Sequence, residues 1–259
     1  MSTILQRILD EKTNAVAELK KEEIKPNIRE TYSLIDAIKK NAPIGIIAEI
    51  KRHSPSKGAL DETVNPVKQA KQYEAAGAAA ISILTDTPFF KGSFADIEVV
   101  RQSVHIPILC KDFIIDSVQI EKAKSVGADA ILLIVAALTK EQLVHLFQVA
   151  TENGLEVLVE VHDEAELQTA VDIGAELIGV NNRNLKTFEV SLEHTITIAK
   201  NPLARNIVLI SESGMRDQED VKVVQQAGAQ GILVGETLMK ASDIAAKIKE
   251  LSLKESGDI

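Results

Sequence analysis

The sequence predicts an α/β protein built as a (β/α)8 barrel, or TIM barrel, with an N-terminal helical extension. One observation is a repeated pattern in which a helix-ending glycine is followed by alanine and then by an apolar run. The pattern recurs at spacings of 50, 47 and 54 residues, at Gly77, Gly127, Gly174 and Gly228. Glycine supplies the left-handed backbone that ends a helix before a buried strand. A second observation is that four other apolar runs end in charged residues, at 44–52, 107–113, 156–161 and 207–214.

Eight strands result when the two sets of apolar runs are placed in chain order. We predict them at 44–52, 79–86, 107–113, 130–136, 156–161, 177–183, 207–214 and 231–236. Amphipathic helical patterns fill the gaps, where Thr139 and Gln142 fit a capping box and Asp163 fits an N-cap. Continuous apolar strands that alternate with helices are typical of a parallel sheet covered by helices. A doubly wound open sheet is the alternative, but eight units favour a closed barrel, because closure removes the exposed edges.

The residues before the first strand form a separate pattern. Apolar residues within 4–19 recur at helical spacing, and a second helical stretch covers 34–40. We interpret residues 1–43 as an added helical layer on a single barrel domain of residues 1–259. A dimerisation helix is the alternative interpretation of this extension.

Composition excludes several classes of function. The net charge of −9 argues against nucleic-acid binding and against a basic membrane-binding face. No apolar run is long enough to cross a membrane, and the N-terminus lacks the apolar segment of a signal peptide. One cysteine allows no internal disulfide, so we expect a cytoplasmic protein.

Charged residues at strand ends are the candidates for chemistry, because barrel active sites lie at the carboxyl ends of the strands. Glu49 and Lys51 are two residues apart on the first strand and therefore share one side of it. We expect Lys111 to lie within reach of Lys51, so that each ammonium lowers the pKa of the other. Burial of Glu160 should raise its pKa and suit it to general acid or base catalysis. A structural salt bridge is the alternative for Glu49 and Lys51.

The last three strands end in groups that suit binding. Asn181 and Arg183 follow the sixth strand and suit recognition of a carboxylate or hydroxyls, although an Asn-rich turn is the alternative. The ends of the seventh and eighth strands fit a phosphate cradle, in which glycine lets backbone N–H groups approach the anion. These ends carry Ser213, Gly214, Gly235 and Glu236. No spacing of His, Cys and Asp indicates a metal site.

Six motifs occur in order at the predicted strand ends and carry a family resemblance. They are AEIKRHSPSKG (48–58), PILCKDFI (107–114), VLVEVH (157–162), IGVNNRNL (178–185), SESG (211–214) and VGE (234–236). With them, nearly the whole chain closely resembles indole-3-glycerol-phosphate synthase of tryptophan biosynthesis. The resemblance implies closure of a pyrrole ring in 1-(2-carboxyphenylamino)-1-deoxyribulose 5-phosphate, with release of carbon dioxide and water. It implies a small-molecule substrate and no cofactor or metal.

The resemblance also implies roles for individual residues. Lys111 would be the general acid for ring closure, and Lys51 would hold the substrate carboxylate, with the division of proton transfer between the two lysines left open. Dehydration would use Glu160 and Glu49 with help from Asn181, and the division between the two glutamates stays open. The implied substrate contacts are Arg183, Glu212, Phe113, Phe90 and Leu133, and the implied phosphate contacts are Ser54, Ser213, Gly214, Gly235 and the backbone of Glu236.

Two other functions remain as alternatives at this point. One is a sugar-phosphate isomerase or aldolase on the same frame, which would need a Schiff-base lysine or an acid/base pair without carboxylate-binding cations. The other is a non-catalytic barrel that binds a phosphorylated ligand. Since nothing in the sequence indicates an oligomer, we expect a monomer.

Overall fold

A computed structural model of the chain describes residues 3–27, 29–55, 58–184 and 187–254. Eight parallel strands close into a barrel. They are β1 Gly45–Ile50, β2 Ala80–Leu84, β3 Ile108–Lys111, β4 Ala130–Ile134, β5 Glu156–Val161, β6 Leu177–Asn181, β7 Val208–Glu212 and β8 Gly231–Val234. The first strand pairs with β8 on one side and with β2 on the other, which completes the closure. The predicted (β/α)8 barrel is therefore confirmed, and the open sheet is wrong.

Two helices precede the first strand, and the other helices follow the strands and form the outer layer. The two N-terminal helices are α1 Ile4–Leu19 and α2 Leu34–Lys40. The helices between strands are α3 Pro66–Ala75, α4 Thr87–Phe90, α5 Phe94–Arg101, α6 Ser117–Val126, α7 Lys140–Glu152, α8 Glu164–Asp172, α9 Glu193–Lys200 and α10 Gln218–Ala227. Two more, α11 Glu236–Met239 and α12 Ile244–Leu251, follow β8. The part of the chain that the structure describes contains no helix that is long and apolar enough to span a membrane.

Local signals in the sequence fix many of the helix ends. Thr139 and Gln142 form the predicted capping box of α7, and Asp163 caps α8 by accepting from the backbone N–H of Glu166. The four repeat glycines all have positive φ, between 86° and 122°. An L-residue is disfavoured in that conformation, so the repeat marks the points where the chain reverses into each following strand.

Side chains alternate between two apolar layers along each strand. On β4, Ala130, Leu132 and Ile134 point into the barrel, whereas Ile131 and Leu133 pack outward against the helices. The interior of the barrel is therefore a packed core with side chains from several strands.

The helix α2 closes the opposite, amino-terminal end of the barrel. Leu34 and Ile38 belong to the inner apolar layer, below the starts of the strands. The carboxylate of Glu156, at the start of β5, accepts from the backbone N–H groups of Leu34 and Ile35 at 2.6 and 2.9 Å. This carboxylate satisfies two of the N–H groups that a helix start leaves unpaired.

The helix α1 lies at the other end of the barrel, near the carboxyl ends of the strands. Thr3 caps it, and one face of the helix, which includes Ile8, Val16 and Leu19, is buried. The helix packs against α6 of the same chain. The N-terminal extension thus divides between the two ends of the barrel rather than forming one continuous layer.

Candidate active site

The carboxyl ends of the strands surround a cavity of about 570 Å³. Fourteen of the fifteen residues predicted for the site line it. They are Glu49, Lys51, Ser54, Phe90, Lys111, Phe113, Glu160, Asn181, Arg183, Glu212, Ser213, Gly214, Gly235 and Glu236. Ser56 and Leu185, which belong to the motifs at 48–58 and 178–185, lie outside the described residues.

Leu133 is the predicted residue that does not reach the cavity. It packs in the outer layer, and its neighbour Leu132 lines the cavity instead. The prediction was wrong by one residue because β4 is apolar on both faces. In such a strand, sequence alternation gives no sign of which face points inward.

Glu49 and Lys51 lie on the same side of the first strand, as their spacing predicts. Lys51 Nζ lies 2.6 Å from Glu49 Oε1, and both side chains face the cavity. The pair places one cation and one anion at the edge of the cavity. Because Lys51 retains some exposure, its ammonium can also meet an anionic group of a ligand.

Lys111, at the end of β3, lies between two carboxylates. Its Nζ donates to Glu212 Oε2 at 2.7 Å and to Glu160 Oε2 at 3.2 Å. Burial acts to lower its pKa, but Glu212, Glu160 and Glu49 outweigh burial, so the pKa is raised. The expectation that Lys51 would lower this pKa was wrong, because the nearest charges to Lys111 are carboxylates.

Glu160, on β5, is the better-stabilised of these two carboxylates. Asn181 Nδ2 donates to its Oε1 at 3.0 Å, and His162 Nε2 lies 3.5 Å from the same oxygen. Burial acts to raise the pKa of Glu160, but Lys111, His162 and Asn181 outweigh it, so the pKa is lowered. The expected rise was therefore wrong, and Glu160 is ionised at neutral pH.

Glu212, on β7, has the environment that was expected for Glu160. One of its oxygens bonds to Lys111, whereas Oε1 is buried and has no hydrogen-bond partner among the described residues. Burial, assisted by the negative charges of Glu160 and Glu49, raises the pKa of Glu212 to about 7 despite Lys111. The negative charges of the neighbouring glutamates favour the protonated form of Glu212.

Asn181 connects the carboxylate cluster to the loop after β7. It donates to Glu160, and its Oδ1 accepts from Ser213 Oγ and from the backbone N–H of Arg183, both at 3.0 Å. The adjacent Asn182 is fully buried and bonds to Ser211 and Thr195 behind the cavity, and its Nδ2 also donates to the backbone carbonyl of Ser213 at 3.1 Å. Asn181 therefore faces the cavity, whereas Asn182 supports the segment after β7 from behind.

The ends of β7 and β8 form a polar corner of the cavity. Ser213 and Gly214 both have positive φ, at 65° and 93°, which turns this segment sharply after β7. The carboxylate of Glu236 pairs with Lys240 Nζ at 2.6 Å, which neutralises its charge beside the cradle. Lys240 also lines the cavity, as do Arg216 and Thr237, and our sequence analysis missed all three. Their only signal was proximity in sequence to the SESG and VGE motifs.

Apolar side chains form the opposite wall of the cavity. The rings of Phe90 and Phe113 lie with centroids 6.0 Å apart at an angle of 33°. Three residues of α1 complete this wall, namely Ile4, Leu5 and Ile8. The sequence showed the amphipathic pattern of α1 but not its position over the site.

His162 is more closely connected to the site than its sequence position suggested. Its ring lies between Glu160 and Glu166, with Nδ1 at 3.1 Å from Glu166 Oε2. Burial acts to lower its pKa, but these carboxylates outweigh it and raise the pKa. Within the ranges that the structure describes, no group of His, Cys, Asp and Glu residues is arranged to hold a metal ion.

This geometry defines a class of protein: a barrel enzyme with a buried cluster of lysines and carboxylates between a polar corner and an apolar wall. A family model described as indole-3-glycerol phosphate synthase matches residues 5–251. The chain belongs to the indole-3-glycerol phosphate synthase family, whose members are carboxy-lyases of tryptophan biosynthesis.

Relatives of high identity support the same assignment. An indole-3-glycerol phosphate synthase from Bacillus cereus (strain B4264) is 51% identical over 249 residues, covering 95% of this chain and 96% of the relative. One from Bacillus mycoides (strain KBAB4) is 51% identical over 247 residues, with the same coverage of both chains.

Solved structures that are similar to this chain support the fold alone. A 3-hexulose-6-phosphate synthase from Salmonella typhimurium superposes with a TM-score of 0.65 at 16% identity, covering 81% of this chain and 97% of the other. A thiamine phosphate pyrophosphorylase from Pyrococcus furiosus gives a TM-score of 0.59 at 19% identity, covering 80% and 92%.

Proposed function

We propose that this cavity converts 1-(2-carboxyphenylamino)-1-deoxyribulose 5-phosphate to indole-3-glycerol phosphate, carbon dioxide and water by general acid/base catalysis. The observation that carries the proposal is the position of Lys111 between Glu160 and Glu212, at the centre of a cavity with an apolar wall and an anion cradle. The substrate has matching parts, since an aromatic ring and a phosphate lie at opposite ends of the carbons that react.

Substrate binding follows from the two ends of the cavity. The phosphate would lie against Ser213, Gly214, Gly235 and the backbone of Glu236, with Ser54 in the short strand His53–Ser54 that follows β1. Backbone N–H groups and a hydroxyl suit a phosphate, and the ion pair of Lys240 with Glu236 offsets the negative charge of that glutamate. The aromatic ring would lie against Phe90, Phe113 and Leu132, while Lys51 and Arg183 bind its carboxylate.

Ring closure requires a proton at the ketone oxygen while the aromatic carbon bonds to the ketone carbon. Lys111 stays protonated because its pKa is raised, and it donates to the oxygen as alkoxide character develops. An alkoxide is more basic than an amine, so this proton transfer is favourable even from a lysine with a raised pKa. The carboxyl group then leaves as carbon dioxide, and its bonding electrons restore the aromatic ring.

Loss of water requires an acid for the hydroxyl group and a base for a proton of the new ring. The environments of Glu160 and Glu212 push their pKa values apart, and such a pair divides into base and acid. We assign Glu160 as the base, since it is ionised, and Glu212 as the acid, since it holds a proton near neutral pH. Glu49 positions Lys51 through their ion pair.

The experiment that tests this function is a fluorescence time course with the carboxyphenylamino-deoxyribulose phosphate. The chain contains no Trp, so indole emission rises without a protein background. We expect turnover without added metal or nucleotide. Binding of this substrate without an indole signal would contradict the proposal and favour a non-catalytic barrel.

A variant tests the central role of Lys111. We expect Lys111→Ala to keep its fold and lose about 10³-fold or more in kcat, within the range for removal of a general acid. Lys140→Ala is the matched control, because that lysine is exposed on α7 and its nearest carboxylate lies 3.7 Å away. A Lys111→Ala rate close to that of the parent protein would remove Lys111 from the mechanism.

A further inference from the structure

Lys12 is a charged residue on the buried face of α1. Ile8, Lys12 and Val16 are spaced four apart and lie on one side of the helix, and the lysine side chain is only 6% exposed. An isolated charge at such a position would be strongly unfavourable. The lysine therefore has to be explained by what it contacts.

The Lys12 ammonium joins two buried carboxylates from different strand ends. Its Nζ lies 2.7 Å from Asp86 Oδ1 and 2.6 Å from Asp112 Oδ1. Burial acts to lower the pKa of Lys12, but Asp112 and Asp86 outweigh burial and raise it, so the lysine stays charged. Without the lysine, two buried carboxylates would face each other with no cation between them.

Each of these carboxylates also fixes the backbone beside an aromatic residue of the cavity wall. Asp86 caps α4, which ends at Phe90, by accepting from the N–H of Phe89 at 2.9 Å. Asp112 accepts from the N–H of Phe113 at 2.7 Å and follows Lys111 directly. One ammonium thus contacts the two segments that carry Phe90 and Phe113.

The same helix contributes its own part of that wall. Ile8 lies one turn before Lys12 and lines the cavity, together with Ile4 and Leu5. The position of these three side chains therefore depends on how α1 is held against the ends of β2 and β3. The Lys12 ion pairs join the helix to those strand ends.

We propose that Lys12 is a positioning residue for the aromatic-binding wall, holding α1, Phe90 and Phe113 in the arrangement that encloses the ring of the substrate. This inference rests on the proposed function for the identity of the ring. Lys12 touches neither the phosphate cradle nor the acid/base cluster through any contact described above. Its effect should therefore fall on binding of the aromatic end and not on binding of the phosphate end.

The experiment compares Lys12→Met with the parent protein at a temperature where both are folded by circular dichroism. We expect KM for the substrate to rise about tenfold or more while kcat changes by less than about threefold, the pattern of lost uniform binding. The inhibition constant of inorganic phosphate should stay the same, whereas the dissociation constant of 2-aminobenzoate should rise.

Lys20→Met is the matched control at the end of the same helix, where Lys20 follows Leu19 as the C-cap. Lys20 also joins α1 to the segment after β3, through Asp116 at 2.6 Å, but its side chain is 54% exposed. Its loss should leave KM, kcat and both binding constants unchanged. Binding of 2-aminobenzoate needs no turnover, so a failure of the proposed reaction would not hide the result for Lys12.

If Lys12→Met does not fold, the double variant with Lys12→Gln and Asp86→Asn provides the test. It keeps the net charge of the cluster at minus one, and Asn caps a helix as well as Asp does. We expect the same rise in KM and in the 2-aminobenzoate dissociation constant. A folded variant whose KM and 2-aminobenzoate dissociation constant equal those of the parent would overturn the positioning role. If neither Lys12→Met nor the double variant folds, the role is also overturned, and the ion pairs are purely structural.

Discussion

The backbone of Gly179 on β6 lies against the carboxylate of Glu212 on β7. A Cβ atom at position 179 would overlap Oε1 of that glutamate and would also approach Leu158. Because Gly179 has no side chain, the Glu212 carboxylate has room to point into the barrel. The position of a carboxyl group on β7 therefore depends on a glycine of β6.

Substitution of Gly179 tests this relationship. We expect Gly179→Ala to displace the Glu212 carboxyl and to lower kcat by about 100-fold or more, the scale of a lost acid. Gly174→Ala is the control, because Gly174 has φ of 86° and no atom near its Cβ position. That variant should lose about 1–2 kcal/mol of stability through backbone strain and keep its kcat. Parental kcat in Gly179→Ala would contradict the relationship.

The pH dependence of the rate tests the role of Glu212 as an acid. With a pKa of about 7 in the free protein, Glu212 loses its proton as the pH rises through neutrality, so kcat/KM should fall. In Glu212→Gln we expect a lower kcat/KM throughout and no decline with this midpoint between about pH 5.5 and about pH 9. The same decline in the variant would assign the titration to another group.

The same shift affects stability, with a definite sign. The pKa of Glu212 rises from 4.5 to about 7 on folding, so the folded protein retains a proton that the unfolded chain releases. The resulting stabilisation is complete below the unfolded value and is lost as the pH rises to about 7, on the order of 3 kcal/mol. Relative to the parent, Glu212→Gln should therefore gain stability between pH 4.5 and about 7. The free energies of urea unfolding of the parent and of Glu212→Gln should therefore diverge across that interval. A constant difference between them would contradict this prediction.

The two asparagines after β6 should separate activity from stability. Asn181→Ala removes the bond to Glu160 and the link to Ser213, so we expect kcat to fall about 100-fold with little change in unfolding free energy. Asn182→Ala removes bonds to Ser211, to Thr195 and to the backbone carbonyl of Ser213 in a fully buried site. It should cost about 2–3 kcal/mol of stability and lower kcat much less than Asn181→Ala does. The reverse pattern would exchange the two roles.

Leu132 and Leu133 offer a test of which face of β4 points into the barrel. Leu132→Ala enlarges the cavity beside the aromatic ring, so we expect a higher KM for the substrate. Leu133→Ala leaves a void in the outer core and should cost about 2–5 kcal/mol with KM unchanged. Steady-state kinetics and thermal unfolding of the two variants give the comparison. A change of KM in Leu133→Ala alone would show that Leu133, and not Leu132, points into the cavity.

Several parts of this protein were determined by the sequence alone. The repeat glycines marked the helix ends, and the apolar runs gave the eight strands. The residues at the strand ends, together with those that the family resemblance implied, all line the cavity except Leu133. These signals are local, because turn geometry, helix capping and strand composition act between residues close in sequence. The motifs then sufficed to recognise the family.

Other parts were decided only by the tertiary structure. The closed barrel brings Lys111 from β3 to Glu160 on β5 and Glu212 on β7, and these distances reverse the expected pKa shifts. Charge interactions depend on separations across the barrel, which the order of residues along one strand does not contain. The position of α1 over the cavity and the contacts of Lys12 also depend on contacts between elements that are distant in sequence. An amphipathic face shows that a helix is buried, but the surface it covers is set by packing with elements distant in sequence.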